Sequence, residues 1–207
     1  MLEIITGGSL AAAAGLNAYI PLLGLGLLAR FTGLVQLPDG WAWLANEWCL
    51  GILGVLLVVE VVVDKFPALD SVNDVLQTIV RPASGGMVFA AGSSSGTVAV
   101  EDPAAFVASA QFWPVVLGVA IALVPHLLKA VARPILNVLT AGAGAAVSST
   151  IEDVAAVAIT ILAIVVPIIA LIAIIVVVAL MVRRLRRAVA ARREQRAARA
   201  GTGLAQH

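Results

Sequence analysis

The chain has 207 residues, of which 61% are hydrophobic and 12% are charged, and its mean hydropathy is +1.06. This composition excludes an ordinary soluble globular domain and predicts an all-α integral membrane protein. The formal net charge is only +1, but the positive charge is concentrated near the C-terminus. A basic end of this kind orients a membrane protein and contacts anionic lipid headgroups, so we expect the lipid bilayer, and no nucleic acid, as its partner.

The first predicted span covers about residues 5–28 and is rich in Gly, Ala and Ser. Small residues let helices approach closely in lipid. Pro21, which follows Asn17 and Tyr19, predicts a kink or a break in this span. Two interpretations stay open: the segment is a kinked packing face, or it is a discontinuous helix that lines a pathway.

The second predicted span covers about residues 48–63 and carries Glu60 in its apolar zone, with Asp64 four positions later on the same helical face. An ionisable side chain at membrane depth is costly, so it is by default a candidate for function. The alternative is structural, with Glu60 as an ion-pair partner of Arg81 or Lys65. The sequence alone leaves both interpretations open.

An amphipathic helix is predicted at about residues 70–80, with Asp70 and Asp74 on one face. Arg81 precedes a proline, and the residue before proline avoids the α region, so we expect the helix to end there. Residues 83–96 are too short to span a bilayer and too apolar for an ordinary loop. They predict a re-entrant segment, because irregular backbone at membrane depth is tolerated only inside protein or beside water.

The third predicted span covers about residues 112–128 and is followed by a second Arg-Pro pair. His126, Lys129 and Arg133 lie near its end. Residues 135–149 are again dominated by small side chains and predict a second re-entrant segment.

The last predicted span is the uninterrupted apolar run of residues 154–182, which Glu152 and Asp153 precede. A helix rises about 1.5 Å per residue and about 20 residues cross a bilayer, so this run is longer than a span requires. We therefore expect one helix that is tilted, or bent near Pro167.

Eight arginines follow this run and predict its orientation. They are Arg183, Arg184, Arg186, Arg187, Arg192, Arg193, Arg196 and Arg199. Because Lys and Arg next to a span stay on the cytoplasmic side, we expect the C-terminus in the cytoplasm. With an even number of full spans, the N-terminus is expected there too.

The chain contains an apparent internal repeat, in which DVLQTIVRP at residues 74–82 resembles HLLKAVARP at residues 126–134. Since one full span separates the two Arg-Pro elements, the repeat is predicted to be inverted, as in many secondary transporters. The predicted architecture is four full spans and two re-entrant segments. Its parts are repeat one at about 48–101, repeat two at about 113–165, a membrane domain at 1–182 and a basic helical tail at 183–207.

Several stretches resemble a bacterial family of multi-pass membrane proteins known as domain of unknown function 4126. They are AAAAGLNAYIPLLGLGLLARF, VEVVVDKFPALDSVNDVLQTIVRPASGG, and HLLKAVARP with the later IEDVAAV. The resemblance covers nearly the whole chain outside the arginine-rich tail. It implies a multi-pass protein of a bacterial inner membrane, and it supplies no activity and no functional residue.

The leading hypothesis for function is a small transporter or channel for a solute or ion, assembled as a homo-oligomer because four spans enclose little volume. We expect neither enzymatic activity nor a cofactor. The candidate pathway residues are Asn17, Glu60, Asp64, Asp74, Arg81, His126, Lys129 and Arg133. Arg81 and Arg133 would either bind an anionic group or pair with carboxylates, because an unpaired guanidinium in lipid is costly. The expected partners are Asp74 or Asp64 for Arg81, and Glu152 or Asp153 for Arg133.

Two other classes of function stay open. A non-catalytic scaffold or subunit of a larger complex predicts paired charges at helix ends and no water-accessible cavity. An intramembrane lipid-modifying enzyme predicts that Asp64, Asp70 and Asp74 converge on a metal ion, since Mg²⁺ needs only one or two protein carboxylates beside phosphate oxygens.

Overall fold

The computed structural model describes the backbone of residues 1–93, 112–141 and 143–204, and within these ranges the side chains of all but residues 67–71, 145 and 195–204. Every regular element in these ranges is helical. The α-helices are α1 (Leu2–Leu16), α2 (Tyr19–Phe31), α3 (Glu47–Val63), α4 (Pro67–Gly92), α5 (Phe112–Thr140), α6 (Ala143–Val165) and α7 (Pro167–Leu204), and a 3₁₀ helix (Asp39–Ala45) precedes α3.

Three of the described helices, α5, α6 and α7, are long and apolar enough to cross a bilayer. A fourth span results if the 3₁₀ helix and α3, which meet at 62°, are taken together. The predicted class, an all-α membrane protein, is therefore confirmed. The spans themselves differ from the predicted ones in three places.

The first predicted span is two helices that are broken at Asn17. Asn17 has an extended backbone (φ −145°, ψ 123°), and its side-chain Oδ1 accepts hydrogen bonds from the amides of Tyr19 (3.1 Å) and Ile20 (3.2 Å). These bonds cap the N-terminus of α2. Pro21 lies in the first turn of α2, where proline is tolerated, so the break comes before it rather than at it. The segment is thus a discontinuous helix, and its role in a pathway stays a prediction.

Helices α1 and α2 form a V whose apex is Asn17. The Asn17 side chain donates a hydrogen bond to Asp153 of α6 over 3.1 Å. Leu16 of α1 borders the same small cavity as Ile159, and Gly24 of α2 packs against Thr160. Both helices therefore extend from Asp153 along the C-terminal half of α6.

The long apolar run of residues 154–182 is a helical hairpin rather than one tilted span. Helix α6 ends at Val165 and α7 begins at Pro167, a position at which proline favours the start of a helix. Ile159 borders a cavity with Ile174, while Glu152, further back along α6, lies beside Met181 of α7. The two arms are therefore antiparallel, and the prediction of a single span is wrong.

The two Arg-Pro pairs do not end their helices. Helix α4 continues through Pro82 to Gly92, and α5 continues through Pro134 to Thr140. The preceding arginines are almost fully buried and ion-paired, so tertiary contacts outweigh the local preference of a residue before proline. The first residues of both predicted re-entrant segments therefore lie inside continuous helices, and the prediction of a break there is wrong.

The second of these segments, residues 135–149, is divided between the end of α5, a turn at Ala141 (φ 51°) and the start of α6. Most of the first segment belongs to α4, and its last residues, 94–96, lie outside the described chain. Residues 94–101 of the predicted repeat one also lie outside it. The inverted relation of the two repeats and the orientation of the termini stay predictions.

Candidate functional site

The centre of the molecule is a buried charge network around Asp64, which follows the last residue of α3 and is 2% exposed. One of its oxygens, Oδ2, lies 2.9 Å from Lys129 Nζ and 2.9 Å from Arg133 Nη2 of α5. The same oxygen lies 3.7 Å from Arg81 Nη2 of α4. Asp64 also accepts hydrogen bonds from neutral donors, Asn73 Nδ2 (2.9 Å) and Ser149 Oγ (3.2 Å).

A second carboxylate, Glu60, lies one helical turn before Asp64 and binds Arg81. Arg81 Nη2 donates to Glu60 Oε1 over 2.8 Å and its Nε donates to the same oxygen over 3.3 Å. Arg81 is fully buried and Glu60 is 2% exposed. This ion pair joins α3 to α4 at a depth where an unpaired guanidinium would be strongly unfavourable.

Two further carboxylates connect the network to α6. Lys129 Nζ lies 3.2 Å from Glu152 Oε2, so this lysine bridges Glu152 and Asp64. Lys65 Nζ lies 3.6 Å from Asp153 Oδ2, on the carboxylate that also accepts the Asn17 amide hydrogen bond. The apex of the V is therefore part of the network.

The remaining members lie at its edge. Arg133 Nη1 lies 3.5 Å from Asp74 Oδ1 of α4. His126, which is fully buried, has its Nε2 atom 3.0 Å from Thr78 Oγ1. Helices α4 and α5 are thus joined by polar contacts at two levels.

All eight candidate pathway residues lie in or at the edge of this one network, although their role in a pathway is untested by the structure. They are Asn17, Glu60, Asp64, Asp74, Arg81, His126, Lys129 and Arg133. Sequence reasoning did not select Asn73, Ser148 or Ser149. Nothing in their local pattern marks them, because Ser and Asn are common at helix ends and in small-residue segments.

The predicted ion pairs are correct only in part. Arg81 does approach Asp64, but its shortest contact is with Glu60, the pair that the structural interpretation of Glu60 predicted, and not with Asp74. Arg133 pairs with Asp64 and Asp74, while Lys129 takes Glu152 and Lys65 takes Asp153. The error came from placing each pair within its own repeat, whereas the antiparallel packing of α4 and α5 brings both arginines to Asp64.

A metal centre is not apparent in the described part of the chain, where no group of three or more His, Cys, Asp or Glu side chains is placed to hold an ion. Asp64 and Asp74 share Arg133 as a partner. The side chain of Asp70, the third residue of the predicted metal site, lies outside the described side chains.

A lateral groove between α5, α6 and α7 reaches the network at Glu152. Its inner part has a volume of about 90 Å³ and has Ser148 and Glu152 beside apolar walls. Its wider outer part has a volume of about 630 Å³ and is bordered by Arg184 and Arg187. Leu136, Ser148 and Arg184 line both parts, so the two parts adjoin.

Replacing Asn17 with alanine tests the apex of the V. We expect Asn17→Ala to lower the free energy of unfolding by about 2–4 kcal/mol, because a helix cap contributes about 1 kcal/mol and a buried polar partner left unsatisfied costs about 1–3 kcal/mol. The matched control is Asn46→Ala, which removes the exposed cap that accepts from Trp48 N and should cost about 1 kcal/mol. Thermal unfolding in detergent measures both. Equal losses would show that the Asn17–Asp153 bond adds nothing to stability.

These helices and their ionic core define an integral membrane protein of the all-α class. The chain matches a family described as a domain of unknown function, number 4126, over residues 4–187, and so it belongs to that family. No match was found among curated proteins or among solved structures.

Proposed function

We propose that the protein is a small transporter that moves an ion or a small solute across the membrane, with the buried charge network as its coupling or binding site. The observation that carries this proposal is the Lys129–Glu152 pair. It borders the lateral groove on one side, while Lys129 contacts the fully enclosed Asp64 on the other. A proton or a charged solute that enters the groove can compete for Glu152 and so disturb the pairing of Lys129 with Asp64.

The energetics of buried ion pairs support a functional role. Removing two charges from water has a desolvation penalty that often exceeds their mutual attraction, and apolar side chains of similar volume frequently stabilise a protein as well or better. Charged residues within membrane spans are rare and mark ion or substrate pathways. In the described side chains, this network joins five carboxylates to four cations: Glu60, Asp64, Asp74, Glu152 and Asp153 with Lys65, Arg81, Lys129 and Arg133.

The discontinuous helix also supports transport. Many secondary transporters place the ends of broken helices at a site near the membrane midplane. Here the α1–α2 break lies at Asn17, whose side chain caps α2 and contacts Asp153 of the network. A helix N-terminus carries partial positive charge, so its position beside a carboxylate is electrostatically favourable. A coupled transporter fits better than an open channel, because Asp64 and Arg81 are at most 2% exposed.

The setting of this transporter is part of the proposal. The arginines that follow the apolar part of α7 favour a cytoplasmic position for that end of the α6–α7 hairpin. The family resemblance favours a bacterial inner membrane. Association of several copies would enlarge the volume that the short helices enclose.

A non-catalytic scaffold is the second candidate, and one observation favours it. Asp64 has charged partners on two helices and hydrogen bonds from neutral donors, so it is satisfied without any ligand. Such a network can hold helices in register with no transport. Flux measurements separate the two functions.

The proposal predicts flux that depends on Glu152. Purified protein in proteoliposomes that contain a fluorescent pH indicator is given a potassium diffusion potential, and proton entry is recorded. We expect the wild type to speed proton entry, and Glu152→Gln to slow it by about 100-fold, as expected when a proton-transfer group is lost. Glu194→Gln, an exposed position on α7, is the matched control and should keep the wild-type rate.

If protons do not move, the same vesicles are tested with gradients of Na⁺, K⁺, Cl⁻ and small organic acids. A folded wild type that passes none of these would favour the scaffold. Flux that is unchanged in Glu152→Gln would remove the Lys129–Glu152 pair from the pathway.

A further inference from the structure

We infer that the lateral groove binds an anionic membrane phospholipid, with the phosphate at Arg184 and Arg187 and one acyl chain in the inner part of the groove. This inference does not depend on transport, since a lipid can occupy the groove in either function. In a transporter, the acyl chain would compete with the solute or ion for the inner part of the groove, and in a scaffold it would have no such competitor. The proposed site consists of only two of the arginines on α7 and the apolar walls beside them.

The two arginines have the geometry of a phosphate site. They are three positions apart on α7, so they share one helical face, and both border the outer part of the groove. Both are exposed, and among the described side chains no carboxylate is paired with either. A guanidinium presents a planar fork of N–H donors that matches the oxygens of a phosphate.

The walls of the groove fit a hydrocarbon chain. Leu136 of α5, Ile151 of α6 and Val177 and Leu180 of α7 line its inner part, whose surface is mainly apolar. A buried methylene group contributes about 0.8 kcal/mol to lipid binding, so several methylene groups against these side chains add to the attraction at the arginines.

The order of these features along α7 matches the order of chemical groups in a phospholipid. The apolar residues of α7 end at Val182 and the arginines begin at Arg183. The outer part of the groove therefore lies at headgroup depth, while the inner part lies at the depth of the acyl chains. A soluble phosphate would use the arginines alone and leave the inner part without an occupant. This arrangement favours a lipid as the source of the anion.

Glu152 at the inner end does not oppose this occupant. Its carboxylate is paired with Lys129 over 3.2 Å, and Ser148 Oγ donates to its other oxygen over 2.9 Å. The phosphate would lie in the outer part of the groove, beside Arg187 and beside Arg184, which borders both parts. Only the uncharged chain would approach Glu152.

The test compares two double variants that remove the same charge from the same helix. R184Q/R187Q changes the arginines that line the groove, and R183Q/R186Q changes exposed neighbours outside its lining. Thermal unfolding in mixed micelles is followed while phosphatidylglycerol, phosphatidylcholine or inorganic phosphate is added, because a ligand of the folded state raises the unfolding temperature. We expect phosphatidylglycerol alone to stabilise the wild type and R183Q/R186Q. Its apparent affinity for R184Q/R187Q should fall by about 30-fold, at about 1 kcal/mol per arginine.

A third variant, Ala155→Phe, fills the inner groove without changing charge and should also weaken the phosphatidylglycerol effect. Equal losses in the two double variants would overturn the inference in favour of diffuse attraction to the tail. Stabilisation by inorganic phosphate alone would overturn it in favour of a soluble anion. An unchanged lipid effect in Ala155→Phe would overturn the placement of the acyl chain.

Discussion

Asp64→Asn is expected to lower the free energy of unfolding by about 3–5 kcal/mol, the cost that is typical when one partner of a buried ion pair is removed. Asparagine keeps the shape of the side chain but removes the charge that faces Lys129, Arg133 and Arg81. These cations keep other carboxylates, but Asp64 lies between all three, so its loss leaves them close together without the charge that they share.

The measurement is the fraction of protein that elutes as a single species from size-exclusion chromatography after a heating series in detergent. Asp39→Asn is the control, because Asp39 is exposed at the start of the 3₁₀ helix and its replacement should be nearly neutral. For a protein of this size, a loss of about 1 kcal/mol lowers the unfolding temperature by about 2–4 °C. If Asp64→Asn unfolds within 1 or 2 °C of the control, its loss is smaller than about 1 kcal/mol, and Asp64 is not the centre of the ionic core.

Substitutions in the pair of Arg81 and Glu60 distinguish a contribution to stability from a role in function. Arg81→Met alone should lower the free energy of unfolding by about 3–5 kcal/mol, because Glu60 then keeps a buried charge without its closest partner. In the double variant E60L/R81M, both charges are replaced by apolar side chains, and most of the loss should be recovered. Asp64 still has Lys129 and Arg133 in that variant, so the rest of the network keeps its balance.

A matched cycle on the exposed pair of Arg30 and Glu47 provides the reference. The coupling between these surface residues should be about 0–1 kcal/mol, since solvent screens exposed ion pairs. Equal coupling energies for the buried and exposed pairs would contradict the buried network. The folded E60L/R81M protein is then assayed for flux in proteoliposomes. Transport requires the charges themselves, so we expect this variant to be stable and inactive, whereas wild-type flux would assign the pair a purely structural role.

The polar residues at membrane depth were the part of the site that the sequence could predict. Glu60, Asp64 and Arg81 are costly in lipid wherever the helices lie, so their types alone select them as candidates. Their partners depend on packing. The sequence offered Arg81 as a partner of Glu60, Asp64 or Asp74, and only the packing of the middle of α4 against the end of α3 decides among them.

The composition predicted the class of the fold correctly, but the sequence predicted the positions of the helix breaks less well. Pro82 and Pro134 lie inside continuous helices because buried ion pairs hold the arginine before each of them, whereas Pro167 does mark a helix start. The apolar run of residues 154–182 has no polar side chain at its turn, because the backbone groups there bond to each other. Val166 N donates to Leu162 O, and Val166 O accepts from the amides of Ile169 and Ala170. Asn17, by contrast, has a side chain that caps a helix, and it marks a real break.

The contact between Asn17 and Asp153 has a consequence for how the protein is made. These residues are 136 positions apart, so at about 5–20 residues per second the ribosome needs about 7–27 s to supply the partner of the first helix break. Asp64 is likewise synthesised before Lys129 and Arg133. During this interval the nascent chain holds Asp64 with Arg81 but without its two nearest cations. A chain released early, before α5, would present these unmatched charges in lipid, so the protein's biogenesis depends on completing synthesis rather than on its first spans settling independently.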